Sequence, residues 1–68
     1  MERNELEEDR IVFIAGEIGG AVASLIANGM VISRDAIVDS LKAKRRAVGN
    51  VIHKGLLRDA EELVRKGQ

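Results

Sequence analysis

The sequence predicts an all-α chain of three helices, at about residues 4–28, 33–46 and 48–66, assembled as a homodimeric helical bundle. Three observations predict it. Apolar residues recur at intervals of three and four instead of alternating. Asn28-Gly29 followed by Ser33 reads as a helix stop and a helix start. The chain has 68 residues, no cysteine and one histidine, His53, so disulfides and metals are nearly closed as supports for a small core. Self-association is the aid that remains.

The first helix opens in an acidic segment, MERNELEEDR, where Asn4 and Glu7 have the spacing of a capping pair. Acids in a first turn also suit the positive end of the helix dipole. Ile11, Ile14, Ile18, Val22 and Leu25 then draw an apolar line at helical period up to the Asn28-Gly29 stop. Ser33 caps the second helix, with Asp35 behind it, and Ala36, Ile37, Ser40 and Leu41 form a short amphipathic face. That face lapses at Lys42, Lys44, Arg45 and Arg46, cations that belong at a helix C-terminus. Gly49-Asn50 is a weaker break. Beyond it Val48, Ile52, Leu56, Ala60 and Leu63 or Val64 give a third apolar line, closed by Arg65-Lys66-Gly67. With no proline between them, the second and third helices are readable as two elements or as one bent helix.

Composition narrows function. One domain, 1–68, is all the length allows. Eleven basic residues balance eleven acidic ones, which argues against polyanion binding as the main task. One imidazole, one aromatic (Phe13), no thiol and no phenol leave little to catalyse with. No enzyme is expected, and no catalytic residue, metal, cofactor or small-molecule substrate is assigned. The acidic start predicts no signal peptide, and the lack of cysteine fits a reducing, cytoplasmic location.

Several motifs compete with plain helix packing. A dinucleotide-binding reading of IVFIAGEIGG fails: counted from Gly16, the second and third required glycines are Ile18 and Ala21. Ile11–Ile32 is long enough to span a bilayer, but four glycines, Asn28 and a central Glu17 make it a poor span, so no membrane is expected. Gly16, Gly20, Ala23 and Ala27, with Gly19 beside them, share one side of the first helix. Each interior glycine costs about 1 kcal/mol against alanine, so close approach of another helix is the compensating reason. That helix is either one of the chain's own or a second copy. The basic cluster Lys42, Lys44, Arg45 and Arg46 is either a solvated helix end or a contact for phosphates or an acidic protein surface. With no aromatic near it to stack on bases, DNA is possible but not favoured. His53 has no acid or thiol on its own helix face, so it reads as structural.

The ordered set Ile18-Gly19, Ala21-Val22, Leu25, Gly29, Ile32-Ser33, Ile37-Val38 and Leu41, continued by Val51-Ile52, Leu57-Arg58 and Glu62-Leu63-Val64, resembles a family of small enterobacterial regulators of biofilm development and acid resistance, the YmgB/AriR-like family. The resemblance covers about residues 18–64. It implies an all-helical homodimer that acts as a connector of two-component signalling by binding other proteins, with DNA binding also proposed for the family and no active-site motif to transfer. Two features depart from the family: residues 11–14 are more apolar than its first helix begins, after a shorter polar tail, and the Lys42–Arg46 cluster matches no family pattern.

Overall fold

The computed structural model describes residues 5–67, with side chains from Glu8 onward. The proposed Asn4–Glu7 capping pair lies outside the described residues. Three helices and no strand are present among them: α1 (Glu5–Ala27), α2 (Arg34–Ala47) and α3 (Val51–Lys66).

The helix ends follow local chemistry. Asn28 follows the last residue of α1, its N–H donating to Ser24 O at 3.0 Å, and Gly29 turns left-handed, with φ 66°. The Gly29 N–H donates to Ile26 O at 3.0 Å and the Met30 N–H to Leu25 O at 2.9 Å, which together form a Schellman stop. Ser33 Oγ accepts from the Ala36 N–H at 3.1 Å and starts α2. The open boundary resolves as a true break. Val48 is extended, and Asn50 Oδ1 accepts from the His53 N–H at 2.9 Å. The third helix therefore starts at Val51, three residues later than the apolar line suggests, because the Asn50 cap outweighs the periodicity of Val48. At the far end Gly67 is left-handed (φ 62°), and a Cβ there would collide with the Arg34 guanidinium. Arg34 thus sits against the negative end of α3.

α2 and α3 form a hairpin whose mutual packing is more extensive than that of either helix with α1. Ala21, Leu41, Leu57 and Ala60 make the central cluster, and Ile14, Ile18, Ile37, Val48 and Val64 pack around it. Leu41 and Leu57 are fully enclosed, and burying each contributes about 1.5–3 kcal/mol. The predicted apolar lines are only partly used. Ile11 is 65% exposed and Ile52 76% exposed. In α3 the inward residue is Val64 while Leu63 stays exposed, and α2 adds Val38, which is buried.

The Asn50 cap yields a direct test. Asn50→Ala removes the side-chain acceptor at the start of α3 and should cost about 1 kcal/mol, read as a lower urea midpoint with an unchanged denaturant slope.

Candidate functional site: the three-helix junction and the glycine face

Glu17 is the one formal charge between Ile11 and Ile32, and the fold turns it inward to where all three helices meet. Its side chain is 12% exposed, with Lys44 Nζ of α2 2.6 Å from Oε2 and His53 Nε2 of α3 3.3 Å from Oε1. Oε2 is shut off from water and makes no well-aligned hydrogen bond, so the nearby ammonium charge holds it in place of one. Phe13, one turn before Glu17, meets the His53 ring edge to face, with centroids 5.2 Å apart. Burial pushes the Glu17 carboxyl upward, but the close contacts and charges of Lys44 and His53 outweigh it and leave the group below its ordinary value.

A second enclosed carboxylate joins α2 to α3. Glu61 is 3% exposed and accepts from Arg45 Nε at 2.6 Å and from Arg45 Nη2 at 3.3 Å. Arg10 and Asp59 tie α1 to α3 at the surface. Burying an ion pair is a poor source of net stability, but removing one partner strands the other at a cost of about 3–5 kcal/mol. These links therefore act chiefly to fix how the helices sit on one another.

The basic cluster is consequently divided. Lys44 and Arg45 are tied into the fold, whereas Lys42 and Arg46 make no ion pair among the described residues. His53, which has no acid on its own helix face, receives one from α1. The sequence signal for that contact was a single acid stranded in an apolar helix.

The glycine face points away from the chain's own helices. A Cβ at Gly16, Gly19 or Gly20 would meet nothing within 4 Å, and Ala23 and Ala27 are exposed. Intrachain packing is therefore not what these glycines serve. Gly20 also borders an open cavity of about 390 Å³ between α1 and α2, lined by Glu17, Ser24, Ser40 and Lys44 among others. On the other side of α1, Ile11, Ile14, Ala15, Ile18 and Leu63 line an apolar groove of about 290 Å³. Among the described residues no group of three His, Cys, Asp or Glu is placed to hold a metal. The run Glu8–Ala27 is long and apolar enough, by length and composition, to cross a membrane, and little of it is buried. Comparison with protein families, with curated proteins and with solved structures finds no match.

The Glu17 junction predicts a pH dependence with a definite sign. A carboxylate held below its unfolded value stabilises the fold above the ordinary carboxylate range, and this is lost as pH falls through the lower, folded value. Glu17→Gln should therefore lower the melting temperature most near neutral pH. The gap to wild type should close on acidification below about pH 4, as the native carboxyl also becomes neutral. Circular-dichroism melts across pH check this, and a gap independent of pH would refute it.

Proposed function

We propose that this chain is a small regulatory connector: a cytoplasmic α-helical homodimer that works by occupying surfaces of other proteins and has no chemical step of its own. The resemblance of residues 18–64 supports a role of the kind its family has in two-component signalling, biofilm formation and acid-stress response.

The observation that carries the reading is unspent surface. Among the described residues ten large apolar side chains are exposed, whereas Leu41 and Leu57 are the large ones fully enclosed. Large apolar side chains including Val12 and Ile26 stand in solvent on α1, as do the glycines beside them. A second copy laid on α1 would cover these groups and supply the close approach that compensates the glycines.

The alternative of a DNA-binding dimer using Lys42, Lys44, Arg45 and Arg46 is weakened because Lys44 and Arg45 are committed to Glu17 and Glu61. A membrane-bound reading draws on the little-buried apolar run Glu8–Ala27. It opposes the ion pairs of Glu17, which insertion would break at a cost of several kcal/mol.

Sedimentation at micromolar concentration should give a dimer from the soluble fraction. Gly20→Ala has no intrachain clash and in a monomer would raise stability by about 1 kcal/mol. At a close helix–helix contact it should instead weaken association, and Gly20→Leu should abolish it. A folded monomer would overturn the dimer, and both variants dimerising with undiminished melting temperature would overturn the glycine face as its interface. Recovery in the membrane fraction after lysis would select the membrane reading.

A further inference from the structure

We infer that the face of the α2–α3 hairpin turned away from α1 docks a short acidic segment of a partner protein, held by Lys42 and Arg46 of α2 and Lys54 and Arg58 of α3 beside the bare backbone of Gly55. The inference deepens the proposed function, resting on the reading that this chain works by contact with other proteins, and it names one contact surface and its chemistry.

The first observation is which cations the fold leaves over. Residues 40–58 contain six lysines and arginines and no acid. Lys44 and Arg45 are bound to Glu17 and Glu61, and the side chains of the other four make no ion pair or hydrogen bond among the described residues.

The second is where helical register puts those four. On α2, Lys44 marks the side facing α1 and Arg45 the side facing α3. At about 100° per residue, Lys42 lies roughly 60° beyond Arg45 and Arg46 roughly 100° beyond it, both away from α1. On α3, His53 and Asp59 mark the side facing α1, and Glu61 the side facing α2. Lys54 lies roughly 20° beyond Glu61 and Arg58 roughly 60° beyond, again away from α1. The two pairs therefore flank one seam. Lys42 and Lys54 are half-buried there, consistent with stems lying along the hairpin and ammonium groups reaching out.

The third observation is independent of charge. Gly55 sits in the middle of α3, where a glycine costs about 1 kcal/mol against alanine. It is exposed, and a Cβ there would meet nothing within 4 Å. Gly55 lies roughly 60° beyond Arg58 on α3, at the outer edge of the basic face. Nothing in the chain compensates its cost, whereas an incoming backbone lying over Arg58 and Gly55 would.

The patch is also short. Asp35 and Asp39 stand earlier on α2, and Glu62 later on α3, so the basic surface covers about two helical turns. A duplex would carry its phosphates on across those acids. A few carboxylates on one turn or two of a partner helix would not, and the overall neutrality of the chain favours the same choice.

Octaglutamate, a defined acidic peptide, is the probe. Titrated into isotope-labelled protein at low salt, it should shift amide signals confined to residues 42–46 and 54–58. Lys54→Glu with Arg58→Glu should weaken that binding about tenfold or more, with sedimentation and melting temperature unchanged. Gly55→Ala should raise the melting temperature while weakening the peptide several-fold. No localised shifts, shifts centred on α1, or peptide binding undiminished in both variants would overturn the inference. A short duplex DNA that maps to the same face and binds more tightly than octaglutamate would overturn it in favour of a nucleic-acid contact. The dimer is scored separately by sedimentation, so loss of docking with an intact dimer rejects this surface alone.

Discussion

Shortage of interior is the constraint from which the rest of this structure follows. Leu41, Leu57 and Ala60 are fully enclosed, with Ala21, Leu25 and Val38 close behind, and two of those six are alanines. Conformational entropy opposes folding by about 1–2 kcal/mol for each ordered residue, so a core of this size leaves little margin. The chain accordingly shows the marks of an unfinished surface. Apolar side chains stand in water along α1, at the Met30–Ile32 connection and at the start of α3. The hairpin α2–α3 is the better packed part, and α1 lies on it with Ala21 and Leu25 buried among its described side chains.

With so few apolar contacts to fix it, α1 is oriented by polar ones. Glu17 reaches α2 through Lys44 and α3 through His53, while Arg10 adds a surface tie to Asp59. Hydrophobic contact is non-directional, so a narrow apolar stripe tolerates sliding and rotation. A carboxylate enclosed between two donors from different helices does not, because any rotation leaves a charge buried and unpaired. The Arg45–Glu61 pair does the same within the hairpin. These contacts act more on specificity than on net stability.

The pairing also sorts the surface. Drawing Lys44 and Arg45 inward separates a basic back face from an apolar, glycine-lined front. The proposed contacts, one through close apolar packing and one through charge, rest on these two faces of different chemistry.

Local signals determined the helices. The Gly29 stop and the Ser33 cap act over three to five residues, so they are readable along the chain. The same holds for the apolar period that marks each helix, and Gly16, Gly19 and Gly20 were visible as an expense needing a reason. Tertiary structure decided everything that spans helices: that Val64 turns inward and Leu63 outward, that Ile11 and Ile52 are left in solvent, and that His53 has an acid partner. The Arg45–Glu61 and His53–Glu17 contacts join residues 16 and 36 positions apart. Periodicity gives each helix an inward side but says nothing of how that side is turned against its neighbours. That choice is made by packing volume and by which buried charges can find partners.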